Sequence, residues 1–254
     1  MKTSRLVVAL LATLLTAIHA DAEETGLRFE SGENRVELIE LYTSEGCNSC
    51  PPADRWLSRL KTHDRLWAEF APVAFHVDYW DYIGWKDRFA KSEYSNRQRR
   101  YALEGGARTV YTPGVFKNGI AWHGWRRGKL DRGPLEKPGN LTVTIDGDAV
   151  RIRFDPTMTR TNPELTAHVV ELGMDLSTRV EAGENAGKTL QHDFVALNLH
   201  SLRLNRNEAG YSGSLVLQRL SSDAPGSALV AWVSTSETQA PLQAAGGFLV
   251  PPPQ

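Results

Sequence analysis

Only two cysteines occur in 254 residues, Cys47 and Cys50. That excludes a disulfide-rich scaffold and makes any internal pairing unambiguous. After the amino-terminal segment no apolar run approaches the roughly 20 residues a membrane-spanning helix needs, so no stable membrane insertion is expected. Lysine and arginine number 29 against 30 aspartates and glutamates, and no basic stripe marks a nucleic-acid surface. A second Cys-x-x-Cys and a clustered histidine pair are both missing, so the sequence offers no complete set of metal ligands. Internal repeats are absent, and the one low-complexity stretch is Pro251-Pro252-Pro253.

Two features stand out against that background. Met1–Ala22 carries Lys2 and Arg5, an apolar run from Leu6 to Ile18, and Ala20-Asp21-Ala22, the layout of a cleaved export signal. The expected location is therefore periplasmic or secreted. The second feature is Cys47-Asn48-Ser49-Cys50, which follows the apolar strand pattern Val36–Tyr42 and precedes Pro51-Pro52. Prolines suit the first turn of a helix, where their missing N–H groups do no harm. Closing so short a loop is worth only about 2 kcal/mol of chain entropy, so the pair is better suited to redox exchange or metal capture than to stapling the fold.

The patterns divide the chain. Strand Val36–Tyr42, a helix near Ser49–Leu60, a helical segment near Asp64–Phe70 and strand Val73–Val77 predict a right-handed crossover with parallel strands. Their carboxyl ends then share one sheet edge, which brings Asp78, Tyr79 and Trp80 toward the cysteine turn. Residues 78–107 read as an aromatic-rich insertion, either a partner-selecting cap or a satellite cluster that anchors the excursion. Within it, Arg97-Gln98-Arg99-Arg100 reads as the solvated face of a helix over Ser92–Leu103. Val115–His123, turning at Asn118-Gly119, is a hairpin. Residues 128–140 have linker composition, and 141–254 show recurrent short strands typical of a sandwich. Gly183–Thr189 has too few residues between its glycines for a phosphate loop and reads as a tight connection between strands. His192-Asp193 reads as a structural hydrogen-bonded pair.

The Cys47–Cys50 turn together with Thr112-Pro113 before the hairpin resembles the thioredoxin superfamily. Leu41–Asp54, Phe75–Trp85 and Gly183–Asp193 resemble the exported DUF1223 family. The resemblance implies an α/β thioredoxin-like domain over 30–127, followed by an all-β, sandwich-like domain over 141–254. The superfamily's usual helix after the hairpin has no counterpart in Arg126–Pro138, so the second domain is expected to cover that sheet face. A cis Pro113 is implied as well, presenting the Thr112 backbone to an extended substrate.

On this reading the protein is a thiol-disulfide oxidoreductase acting on a protein or small-molecule thiol or disulfide, with no cofactor and no metal. Cys47, primed by the helix amino terminus, attacks; Cys50 resolves. Thr112, Pro113, Tyr79 and Trp80 are the candidate substrate-binding residues, and Glu45 and Asp78 the candidate proton relays. Two alternatives stand beside it. One is a soft-metal site, such as copper, on Cys47 and Cys50 with His76 or His123 as third ligand. The other is a binding module with a static disulfide.

Overall fold

The computed structural model describes residues 26–128, 130–131, 133, 135–157, 163–217 and 224–252. The expected export signal, Met1–Ala22, lies outside them. Among the described residues, fifteen strands numbered along the chain form three sheets. The largest has eight strands in the order β15 (Gln243–Val250), β14 (Gly226–Thr235), β8 (Leu165–Met174), β11 (Val195–Arg203), β3 (Phe70–His76), β2 (Glu37–Thr43), β4 (Gly114–Lys117) and β5 (Ile120–Ala121). A five-stranded sheet runs β1 (Leu27–Glu30), β6 (Gly139–Asp146), β7 (Ala149–Pro156), β13 (Gly210–Val216) and β12 (Asn205–Asn207). β9 (Leu176–Arg179) and β10 (Thr189–His192) make a separate ribbon. Two α-helices are present among these residues, α1 (Pro51–Ser58) and α2 (Ser92–Leu103), with short 3₁₀ turns between elements. None is long and apolar enough to cross a membrane.

The expected α/β thioredoxin-like amino-terminal domain, followed by its own sandwich, is not what forms. Among the described residues the protein is mostly β, 45% strand against 17% helix. β2 and β3 are parallel as expected, with Glu37 opposite Phe70 and Thr43 opposite His76. The parallel pair does not stand alone, because β11 from the second half joins the other edge of β3, with Val195 opposite Ala74. Ala74 N–H donates to the Phe194 carbonyl at 2.7 Å. A strand buried along its whole length, as β3 is, must have its backbone groups paired on both sides, and the second half supplies one side. The helix expected near Asp64–Phe70 is replaced by turns.

The core follows the same plan. One apolar cluster joins Leu38, Leu41, Phe75, Tyr94 and Phe116 to Val170, Phe194 and Trp232 from the second half. A second fills the gap between the five-stranded sheet and β8, β14 and β15, with Val143, Ile152 and Phe154 facing Val169, Leu229 and Val233. β7 shows why: Val150, Ile152 and Phe154 are buried while Arg151 and Arg153 point outward, the period-2 alternation of a half-buried strand. Sandwich packing is thus present, but one of its two sheets is shared with the first half.

Candidate functional site

β2 ends at Thr43, and the next seven residues make the turn that carries the cysteines. Cys47 N–H donates to the Ser44 carbonyl at 3.1 Å and Cys50 N–H to the Cys47 carbonyl at 3.2 Å, winding the chain into α1. Cys50 is the residue capping that helix, and Pro51 and Pro52 follow in its first turn. Cys47 and Cys50 are joined as a disulfide. Both are buried, Cys47 being 1% and Cys50 0% exposed, whereas Asn48 and Ser49 between them face solvent. Ser49 Oγ lies 3.3 Å from Cys47 Sγ.

The residues expected around this turn separate into two groups. Trp80 packs on it, since a Cβ on Gly46 would sit 3.2 Å from both Trp80 Cβ and Ile83 Cδ1. Trp80 Nε1 also donates to Thr112 Oγ1 at 2.7 Å, and the Thr112–Pro113 peptide is cis. Cys47, Cys50, Trp80, Thr112 and Pro113 thus belong to one linked patch, and Glu45 lies in the same turn. Asp78 turns instead toward α2, and Tyr79 bridges the patch and that helix, its hydroxyl interacting with both Thr112 and Gln98. The Tyr79 hydroxyl donates to Gln98 Oε1 at 3.0 Å, and Asp78 exchanges hydrogen bonds with Ser95. Burial pushes the Tyr79 hydroxyl pKa up, so Tyr79 stays protonated.

Behind the disulfide is a cluster that sequence reasoning did not assemble. His76 Nδ1 meets Asp87 Oδ2 at 2.6 Å, both fully buried. The same Asp87 oxygen accepts the Glu45 N–H at 2.9 Å. Glu45 Oε2 accepts from Trp85 Nε1 at 2.8 Å, and its Oε1 lies 3.4 Å from His192 Nε2. The His192 ring stands edge-on to the His76 ring, with centroids 4.9 Å apart. Asp54, one helical turn beyond Cys50 and therefore on its face, is also buried. Burial raises the Asp54 pKa, against the pull of His192, His76 and a hydrogen bond with Thr43. A cleft of about 110 Å³ between α1 and β10 reaches Asp54 and Pro51 from outside.

Burial works against a charged His76, yet Asp87 beside it prevails and holds the imidazolium pKa above its ordinary 6.5. The carboxylate of Asp87 is likewise drawn below 3.8 by His76, despite burial. The signs fix a pH dependence. His76's contribution to stability is complete below pH 6.5 and is lost as pH rises through its folded pKa. Asp87's is complete above pH 3.8 and is lost as pH falls through its folded pKa. Denaturant unfolding followed from about pH 4 to 9 should therefore show stability falling on the alkaline side, and His76→Gln should flatten that fall.

The β9–β10 hairpin packs its loop against the cysteine turn. Asn185, fully buried in its loop, donates from Nδ2 to the carbonyls of Glu45 at 2.8 Å and Cys47 at 3.0 Å. Its neighbour Glu184 accepts the Asn48 N–H through Oε2 at 3.1 Å. Asp193 is not bonded to His192 as a pair; it takes Lys61 Nζ at 3.2 Å from both oxygens. The sequence signal was present in Gly183–Asp193, but nothing local to it names a partner 138 residues away.

For the soft-metal alternative, His76 is engaged by Asp87 and His123 stacks on Tyr111. Among the described residues no three His, Cys, Asp or Glu side chains are arranged to hold a metal ion. A wider trough of about 660 Å³, lined by Arg28, Arg151, Arg153 and Arg203, lies on the five-stranded sheet and shares no residue with the cysteine site.

Among the solved structures that resemble the chain are two that cover most of it. One is an Agrobacterium tumefaciens protein solved by X-ray crystallography, 20% identical, with a TM-score of 0.58 over 88% of this chain and 96% of that one. The other is HBP35 of Porphyromonas gingivalis, 14% identical, with a TM-score of 0.57 over 87% of this chain and 78% of that one. At those identities the likeness concerns the fold alone. No curated protein matches. The model of a family described as "Protein of unknown function (DUF1223)" matches residues 38–234, which takes in the cysteine turn, the buried cluster and the β9–β10 hairpin. The chain belongs to the DUF1223 family.

Proposed function

We propose that the protein is an exported thiol-disulfide oxidoreductase whose Cys47–Cys50 pair exchanges disulfides with a protein or small-thiol partner. The observation that carries this is the closed Cys47–Cys50 bond at the head of α1, beside exposed Asn48 and Ser49. Once reduced, Cys47 attacks a partner disulfide as thiolate. The partner S–S bond breaks, one partner sulfur leaves as thiolate, and a mixed disulfide forms. Cys50 then attacks the Cys47 sulfur, its proton passing to a neighbouring carboxylate, and the second partner sulfur is released. Two electrons have moved from the pair to the partner. Run backwards, the same steps oxidise a dithiol. Glu45, two residues before Cys47, and Asp54, one helical turn beyond Cys50, are the buried carboxylates that flank the pair, with Glu45 bonded to Trp85 and 3.4 Å from His192.

The test is equilibration against glutathione buffers, with adduct trapping. The pair should equilibrate reversibly, and Cys50→Ser should accumulate a mixed disulfide at Cys47 that Cys47→Ser cannot form. A Cys50→Ser protein that takes up no thiol partner from oxidised glutathione would refute the proposal. The burial of both sulfurs favours a second reading, a static clip within a binding module. A loop this short contributes only about 2 kcal/mol when closed, and the same trapping experiment separates the two.

A further inference from the structure

Glu184 lies on the loop between β9 and β10, outside the exchange steps above, yet its carboxylate rests on the solvent-facing side of the cysteine turn. Cys47 is 1% exposed, while Asn48, Ser49 and Glu184 are all exposed. A partner therefore reaches the sulfur past the Asn48–Ser49 edge, where Glu184 Oε2 accepts the Asn48 N–H at 3.1 Å. The carboxylate is held there by its neighbours. Asn185 is fully buried and bonded to the carbonyls of Glu45 and Cys47. Gly183 and Gly187 bracket the loop at φ +73° and +81°, a left-handed backbone that glycine adopts without steric cost.

The neighbouring charges leave that carboxylate facing outward. Lys188, the loop's cation, gives Nζ to Asn185 Oδ1 at 2.9 Å. Glu45 is buried behind, with its carboxylate bonded to Trp85 and 3.4 Å from His192. The first turn of α1 has no free N–H to bind that carboxylate in compensation. Pro51 and Pro52 have no N–H to present, and the N–H groups of Ala53 and Asp54 are spent on the Cys50 carbonyl.

We infer that Glu184 selects partners by charge, so that disulfides carrying a cation beside the sulfur, such as a cysteine flanked by lysine or arginine, react in preference to anionic ones. This rests on the exchange reading and names the substrate class for it. A partner cation draws the Glu184 carboxylate away from Asn48 and frees that N–H to donate to the incoming chain or to the sulfur. An anionic partner meets like charge and leaves the N–H occupied.

Two small disulfides make the test, dicationic cystamine and dianionic 3,3′-dithiodipropionate, reacted with the reduced protein while oxidation of the pair is followed. Wild type should favour cystamine. Glu184→Gln keeps the hydrogen-bond acceptor and removes the charge, and should lower the cystamine-to-dithiodipropionate rate ratio by about three- to ten-fold, the size of one unit charge near the surface. Raising the salt should shrink the wild-type preference toward that of the variant. Glu184→Asp should restore the preference and Glu184→Lys should reverse it. The same rate ratio in wild type, Glu184→Gln and Glu184→Lys would overturn the inference while leaving exchange intact. If neither probe oxidises wild type under conditions where both oxidise dithiothreitol, the exchange reading itself fails, and the selectivity falls with it.

Discussion

Arg97→Met is expected to destabilise the protein by about 3–5 kcal/mol, the usual penalty for stripping one partner from a buried ion pair. Arg97 lies on α2 with its side chain only 4% exposed, and its Nε meets Glu40 Oε1 at 2.7 Å in the middle of β2, where Glu40 is fully buried. Its Nη2 donates to the Tyr101 hydroxyl at 2.7 Å, which in turn donates to Glu40 Oε2 at 2.6 Å. Tyr42 donates to the same carboxylate at 3.2 Å, and the guanidinium lies 4.7 Å over the Trp232 ring. Without Arg97 the two tyrosines still donate, but the buried carboxylate loses the cation that compensated its desolvation. Glu40→Gln in the Arg97→Met background should therefore recover most of the loss, because a neutral amide can use the same tyrosines. Guanidinium unfolding of the four proteins of that cycle measures the coupling directly. Arg97→Lys should fall well short of rescue, since a point charge cannot supply both the Nε and Nη2 contacts.

The same residue shows where local sequence stops being informative. Ser92–Leu103 is helical as its pattern predicts, and Tyr94 and Tyr101 are buried on one face. Arg97 and Gln98 lie on that face too, contrary to the reading of 97–100 as solvated. An arginine looks exposed until its acid is known, and Glu40 is 57 residues away, hidden in an apolar strand. β2, β3, the hairpin at Asn118-Gly119 and the β6–β7 pair were legible because each depends on near neighbours. β15 was not. Its Gly246 and Gly247 break the alternation, yet they are what lets the strand pass beneath Trp67 and Phe29, since a Cβ there would come within 3.1 Å of the Trp67 ring and 2.3 Å of the Phe29 ring. The joining of β11 to β3 is a contact between segments about 120 residues apart that periodicity cannot register. Of the site, the cysteines, Trp80, Thr112, Pro113 and Glu45 could be read from sequence. Asp87, His192, Glu184 and Asn185 could not, because each acts across the fold.

Asp87→Ala should combine a large loss of stability with a change at the sulfurs. Asp87 is the hub behind the turn: Oδ2 takes both His76 Nδ1 at 2.6 Å and the Glu45 N–H at 2.9 Å, and Oδ1 takes the Phe89 N–H at 2.9 Å. Removing it strands a buried imidazole whose charged form it had favoured and leaves two N–H groups without acceptors, so about 3–5 kcal/mol is expected. The Glu45 N–H lies two residues before Cys47, and losing its anchor removes one of the bonds that hold the turn closed over the sulfur. One such bond is worth about 1 kcal/mol net, enough to raise the opening frequency several-fold. Iodoacetamide should therefore modify reduced Cys47 several-fold faster in Asp87→Ala than in wild type, under conditions where both remain folded. Asp87→Asn keeps one carbonyl oxygen for an N–H and should fall between them in both readouts. Should Asp87→Ala lose the expected stability while Cys47 reacts at the wild-type rate, Asp87 would be a support for the core alone, and control of sulfur access would have to lie in the Asn185 contacts instead.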